Sequence, residues 1–265
     1  MITNVLTAFA VVTLIGLIAA VLLALASALL SVKEDEKVKE VRNCLPGANC
    51  GACGYAGCDE YAKAAASGDA NTNLCIPGGD GVASEIAKVL GVEAQDVVEM
   101  AAFVGCNGNR DATNKIADYS GVPTCAGASM VYSGPNDCRF GCLGCGDCAK
   151  VCPVNAICVD NGIAVINRNI CIGCGLCVKE CPKNIIKLIP KTAKIAVMCS
   201  SKDKGGVARK KCKNACIGCK KCELGCVRKA IAVSDNLAVV DYTKCNGCGL
   251  CAQNCPTKCI KHING

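Results

Sequence analysis

This 265-residue chain has no Trp, and only three Phe, five Tyr and one His. Large aromatic side chains therefore contribute little to its core. Interleaved aromatics of the kind that stack on single-stranded nucleic acid are missing too, so nucleic acid is not an expected partner. No Gly-x-Gly-x-x-Gly follows a strand pattern and no P-loop occurs, which leaves no flavin, nicotinamide or nucleotide site to expect. The one His, His262, sits near the C-terminus, and no acid–base pair stands out. A bond-making active site is not expected in this chain. Charge is absent from the first 32 residues, Lys33 being the first charged side chain.

That uncharged stretch contains about 26 mostly apolar residues from Val5 to Leu30, enough to span a bilayer with some tilt. Ala26-Ser27-Ala28 resembles a signal-peptide cleavage site, but there is no positive segment before the apolar run, and the run is long for a signal peptide. An uncleaved transmembrane anchor over residues 1–32 is the expectation. Lys33, Lys37, Lys39 and Arg42 follow it and no Lys or Arg precedes it, which predicts a single-pass protein of the cell membrane with its bulk on the cytoplasmic side.

Against these absences stand 28 Cys and 28 Gly. Cysteine at this level means disulfides or metal, and a reducing cytoplasm favours metal. The spacing Cys-x2-Cys-x2-Cys-x3-Cys occurs four times: Cys142, Cys145, Cys148, Cys152; Cys171, Cys174, Cys177, Cys181; Cys216, Cys219, Cys222, Cys226; and Cys245, Cys248, Cys251, Cys255. Pro follows three of the four runs, and Val227 follows the third. This is the bacterial ferredoxin run, in which the fourth Cys ligates the neighbouring cluster. Zinc sites prefer pairs of Cys instead. Crossed ligation predicts the sets Cys142, Cys145, Cys148, Cys181 and Cys171, Cys174, Cys177, Cys152. It likewise predicts Cys216, Cys219, Cys222, Cys255 and Cys245, Cys248, Cys251, Cys226. After each fourth Cys a short helical turn and an apolar strand are expected, a two-fold β-α-β pattern of ferredoxin-like class.

The runs repeat at an interval of 74 residues, from Cys142 to Cys216 and from Cys171 to Cys245. Upstream, Cys125-x12-Cys138-x3-Cys142 matches Cys199-x12-Cys212-x3-Cys216. Three readings of the additional thiols stay open. Cys125, Cys138, Cys199 and Cys212 hold a further cluster, Cys106 is a ligand in their place, or all are structural. Cys259 reads as a packing residue and Cys158 as no ligand. From Cys199 to Lys229 ten Lys or Arg face two acids. The formal charge of +7 treats every Cys as neutral; five thiolate-bound clusters would add about −10 and bring the total to about −3. The basic residues then compensate cluster charge, or steer an acidic protein to its docking site.

A different spacing, Cys50-x2-Cys53-x4-Cys58-x16-Cys75, carries glycines between its thiols and suits a single [4Fe–4S] cluster, with Cys44 a bystander. Residues 80–92 after Pro77 predict a capped amphipathic helix. The apolar anchor, LPGANCGACGYAGCDEYAKA, CIPGGD and the ferredoxin runs together resemble the B-type subunit of the Rnf complex, the membrane-bound, ion-translocating ferredoxin:NAD+ oxidoreductase. The resemblance covers essentially the whole chain. It resembles the longer, anaerobe-type version with two ferredoxin pairs. It implies an enzyme subunit that accepts electrons from reduced ferredoxin and relays them to flavin- and NAD-binding subunits of the complex.

The expected architecture is α+β: an anchor at 1–32, a small helical single-cluster domain at 33–100, and two tandem ferredoxin-like dicluster modules at 101–198 (with a linker) and 199–265. Five [4Fe–4S] clusters are expected and six are possible. Rival readings are a polyferredoxin of another membrane oxidoreductase, a subunit that reduces a redox-sensing transcription factor, and a zinc-structured interaction protein.

Overall fold

The computed structural model describes residues 2–29 and 35–263. Lys33 and the boundary expected at 32/33 lie outside them. Helix α1 (Ile2–Leu29) has 28 residues, about 42 Å at 1.5 Å per residue, against about 30 Å of bilayer hydrocarbon. Its segment Phe9–Ala26 has a mean hydropathy of 2.8 and is not buried against the rest of the chain.

Three helices form the next unit: α2 (Glu36–Cys44), α3 (Cys58–Ala66) and α4 (Gly79–Leu90). Asp35 caps α2 by accepting from the Lys37 N–H, satisfying a donor that a helix start leaves free. Gly91 ends α4 in the left-handed conformation at φ 69°, as a C-terminal glycine does. Val41, Tyr61, Ala62, Ala65 and Ile86 close a small core, and Cys75 belongs to it.

Beyond residue 100 the fold is two copies of one plan. In the first, β1 (Met100–Val104) pairs antiparallel with β4 (Ile186–Pro190), and β2 (Ile157–Asp160) pairs with β3 (Ile163–Ile166). In the second, β5 (Ile195–Val197) pairs with β8 (Ile260–His262), and β6 (Ile231–Ser234) with β7 (Leu237–Val240). All four pairs are antiparallel two-stranded sheets, and in chain order each module runs strand–helix–strand twice, the expected β-α-β repeat, with its first strand paired to its fourth and its second to its third. The strand after each fourth Cys follows a tight turn, not a helical one. Short helices sit inside the thiol runs instead: α6 (Asp147–Lys150), α7 (Leu176–Glu180), α9 (Lys221–Leu224) and α10 (Leu250–Gln253), while α5 (Cys125–Met130) and α8 (Gly205–Lys211) precede the runs. Strand pairing shifts the expected boundaries. β1 opens the first module at Met100, and β5 belongs with β8 although it lies before residue 199.

Arg168 joins the two modules from a nearly fully buried position. Its guanidinium donates to the carbonyls of Pro190 at 2.9 Å, Lys191 at 3.2 Å, Ala193 at 2.8 Å and Ile263 at 3.2 Å. The planar fork suits several carbonyls at once, as a Lys ammonium would not. Truncation removes a buried guanidinium and leaves four half-buried carbonyls unsatisfied, so Arg168→Ala is expected to lower stability by about 3 kcal/mol. The denaturant midpoint for loss of visible absorbance reads it out. Lys191→Ala, which removes only a surface ion pair with Glu99, is expected to change it by less than about 1 kcal/mol.

Candidate iron–sulfur centres

Each ferredoxin run uses the same backbone path. The residue before the second thiol is Gly144, Gly173, Gly218 or Gly247, with φ of 72°, 69°, 64° and 75°. This left-handed turn folds three successive thiols toward one centre, and a side chain disfavours it. The residue after the second thiol is also left-handed: Gly146, Gly175, Lys220 and Gly249. The third run therefore places a Lys where its three counterparts have Gly, a departure missed in the sequence. Three residues past each fourth Cys, Asn155, Asn184, Lys229 and Lys258 have φ of 50–52°. Their N–H groups donate to the carbonyls of Cys152, Cys181, Cys226 and Cys255 at 3.0–3.3 Å. Val227 in place of Pro leaves that turn unchanged.

The fourth cysteines cross between runs. Cys181 lies beside Cys142 and Cys148, and Cys152 beside Cys174 and Cys177, which also adjoin Cys171. In the second module Cys216, Cys219, Cys222 and Cys255 line one void of about 300 Å³, open solvent at its mouth included. Cys226, Cys245, Cys248 and Cys251 line another. In the helical unit Cys75 lies beside Cys50, Cys53 and Cys58, and the Asn49 side chain accepts from the Cys58 N–H at 2.8 Å to fix the loop. Cys44 instead donates to the Glu40 carbonyl and faces Glu40 and Glu85. Cys158 is exposed in β2.

The donor set fits an iron–sulfur cluster. All 28 thiols are free. Burial pushes Cys148 and Cys177 up to about 12, so a cation is needed to hold them as thiolates together. Backbone N–H groups already aim at sulfur: Ala102 on Cys171 at 3.3 Å, Ala156 on Cys152 at 3.2 Å, Ala164 on Cys142 at 3.4 Å and Ala230 on Cys226 at 3.3 Å. Such bonds stabilise negative sulfur and tune cluster potential. Among the described residues, no three His, Cys, Asp or Glu converge where one metal ion could sit. Thiols set apart around a void suit the corners of a cube better than a single zinc.

Two further thiols stand beside these sets. Cys259 lies 3.6 Å from Cys255 and is almost fully buried. Its thiol hydrogen bonds hold Cys255 down to about 4 and Cys216 down to about 6. Its place in the apolar core of the second module agrees with a packing role. Cys125 lies beside Cys142, Cys145 and Cys148, and its N–H donates to Asp147 at 2.6 Å. The structure therefore does not bring Cys125 together with Cys138, Cys199 and Cys212. Cys106 takes that place: Cys106, Cys138, Cys199 and Cys212 line one void. The matching x12 spacing misleads because the segment before Cys138 carries an insertion relative to its counterpart before Cys212.

The single-cluster unit and the first module touch at their thiols. Lys179 Nζ donates to the Cys50 carbonyl at 2.7 Å, and Cys174 lies beside Cys50.

Family comparisons match these regions. A family described as putative Fe-S cluster matches residues 45–77. Two described as 4Fe-4S dicluster domains match 141–185 and 170–230, and a 4Fe-4S binding domain matches 238–261. The chain is 39% identical over 248 residues to the B-type subunit of the ion-translocating oxidoreductase complex of Methanosarcina acetivorans, covering 93% of this chain and 94% of that one. It is 39% identical over 246 residues to the B-type subunit of the Na(+)-translocating ferredoxin:NAD(+) oxidoreductase complex of Acetobacterium woodii, covering 92% and 74%. To the proton-translocating counterpart of Clostridium ljungdahlii it is 40% identical over 257 residues, covering 96% and 90%.

The left-handed Lys220 predicts a local weakness. Lys220→Gly is expected to stabilise the third run by about 1 kcal/mol. Slower bleaching of the visible absorbance in denaturant checks it, with the same substitution at exposed Lys202 as the control.

Proposed function

The chain belongs to the family of B-type subunits of ion-translocating ferredoxin:NAD+ oxidoreductase complexes, and from that membership we propose a centre-by-centre reading of its electron path. It is an iron–sulfur electron-transfer subunit with 4Fe-4S domains, working with the other subunits of such a complex. Five [4Fe–4S] clusters are held by the five crossed or local sets of thiols: Cys50, Cys53, Cys58, Cys75, and the four sets in which Cys152, Cys181, Cys226 and Cys255 serve the opposite run. When bound, each cluster takes up and gives back one electron at a time.

The chain's own residues supply the setting. Crossed fourth cysteines hold two clusters of a module at a fixed separation. The N–H donors on Cys142, Cys152, Cys171 and Cys226 stabilise negative sulfur. Lys179 bridges the helical unit to the first module. The single observation that carries the reading is the crossing itself, since zinc ribbons have no use for it. Residues 36–98 act as the single-cluster domain, 100–190 as the first dicluster module with its linker, and 195–263 as the second. Helix α1 anchors the chain in the cell membrane, and Lys37, Lys39 and Arg42 after it keep the cluster domains on the cytoplasmic side.

Reduced ferredoxin is the electron donor, and the basic stretch of the second module is its landing face. Lys220, Lys221, Arg228 and Lys229 are exposed around the third run. Leu224 and Val227 stand among them, 85% and 91% exposed. Apolar contacts ringed by positive charge fit an acidic electron carrier. Lys211 is already engaged, paired with Asp203 at 2.9 Å.

Two measurements test the reading. Anaerobic metal analysis is expected to give iron with acid-labile sulfide; zinc without sulfide would overturn it. Charge reversal of Lys220, Lys221, Arg228 and Lys229 to Glu is expected to lower the on-rate for reduced ferredoxin about tenfold at low salt, with the difference shrinking as salt rises. An unchanged on-rate at low salt leaves those residues as compensation for cluster charge alone.

A further inference from the structure

The void lined by Cys106, Cys138, Cys199 and Cys212 lies between the two modules, outside the five sets of thiols. Each module contributes two of the four residues. Cys106 and Cys199 occupy equivalent places, each two residues past the inner strand of its module, β1 ending at Val104 and β5 at Val197. Those strands pair in the same register, Val104 with Ile186 and Val197 with Ile260. Cys138 and Cys212 also correspond, each four residues before the first Cys of a run. The repeat is offset in the chain only because 31 residues separate Cys106 from Cys138, against 12 between Cys199 and Cys212.

The sulfur environments repeat as well. Cys106 Sγ accepts from the N–H of Gly108 at 3.4 Å and of Cys142 at 3.3 Å. Cys199 Sγ accepts from the N–H of Ser201 at 3.5 Å and of Cys216 at 3.3 Å. Both thiols thus have the paired N–H donors that suit a ligating sulfur. The void measures about 380 Å³, open solvent at its mouth included. The corresponding figures are about 390 Å³ beside Cys142, Cys148 and Cys181, and about 300 Å³ at the third run. The space therefore matches those two, while the void beside Cys226, Cys245, Cys248 and Cys251 is larger, at about 820 Å³. The chain ties this region down from both sides: Thr113 Oγ1 donates to the Lys211 carbonyl at 2.9 Å, Asn214 to the Asn107 carbonyl at 2.8 Å and Ser200 Oγ to the Gly105 carbonyl at 2.8 Å.

We propose that Cys106, Cys138, Cys199 and Cys212 hold a sixth [4Fe–4S] cluster, and that it is the electron bridge between the modules. The proposal rests on the five-cluster reading for its neighbours. Cys142 and Cys216, first thiols of the first and third runs, each donate their own N–H to a sulfur of this site, so it abuts one cluster of each module. The six sites then form a single file: the Cys50 set, the Cys171 set with Cys152, the Cys142 set with Cys181, the new site, the Cys216 set with Cys255, and the Cys245 set with Cys226. One electron arrives from one neighbour and the same electron leaves to the other, with no bond to a substrate made or broken.

Iron and acid-labile sulfide are counted anaerobically on the full chain in detergent. About 24 iron per chain is expected, falling to about 20 in the Cys199→Ala/Cys212→Ala double variant and staying at about 24 in Cys125→Ala. A wild-type count of about 20, unchanged in the double variant, overturns the sixth cluster and leaves the other five standing. A count that falls in Cys125→Ala and not in the double variant overturns this ligand set. Zinc without sulfide removes the five-cluster reading together with the sixth. If the double variant fails to fold, the wild-type and Cys125→Ala counts still decide.

Discussion

The constraint on which the rest of this structure depends is the burial of thiols beside one another. Apolar residues usually fill an interior, but here cysteines occupy it: Cys106, Cys142, Cys148 and Cys177 in the core of the first module, Cys216, Cys222 and Cys259 in that of the second. Buried thiolates repel, and water is not there to screen them. Iron resolves the conflict by supplying the positive charge and the covalent bonds at once, so binding free energy becomes folding free energy. This explains how a chain with no Trp and three Phe builds two compact modules. It also explains the short strands, three to five residues each, because the ribbons need only brace the thiol loops.

Backbone polarity serves the same end. Loops that curl around an inorganic cube expose N–H groups that no strand partner satisfies. In this chain those donors point at sulfur, as at Cys142, Cys152, Cys199 and Cys226. A loop that would otherwise carry unpaired donors becomes a polar cradle. The left-handed residues recur at fixed offsets from the thiols for this reason, and Lys220 shows that the offset, rather than the glycine, is what the site requires. Positive charge completes the compensation at longer range.

Much of this was legible in the residues. The run spacing matched the bacterial ferredoxin run, whose fourth Cys serves the neighbouring cluster, and the fold sets Cys181 beside Cys142 and Cys148 and Cys152 beside Cys174 and Cys177. The uninterrupted apolar run that forms α1 and the amphipathic helix capped by Gly91 were both legible locally. Other features left weaker traces. The β1–β4 and β5–β8 pairings join segments more than sixty residues apart, and no local pattern encodes such a partner. Arg168 looks like a surface cation in sequence, since its four carbonyl acceptors come from loops that only the fold assembles. The equivalence of Cys106 with Cys199 was hidden by unequal loop lengths, while the equal x12 spacing offered Cys125 instead. The strand registers were needed to choose between them.

The duplication bears on direction as well as on cluster number. Two like modules in series give a path with no preferred sense; asymmetry must come from what differs at the ends. One end carries the Cys50 set, tied to the first module through Lys179 and continuous in the chain with the apolar helix. The other carries the basic residues around Cys226 and the exposed Leu224 and Val227. Positive charge near a cluster raises its potential, which favours reduction of the Cys245 set from outside. On the proposed ordering, a soluble donor meets the chain farthest from the membrane and the electron travels toward the anchored end. With α1 in the membrane and a diffusing donor as proposed, the length of the chain between those ends would carry charge toward the bilayer without requiring the donor to approach it.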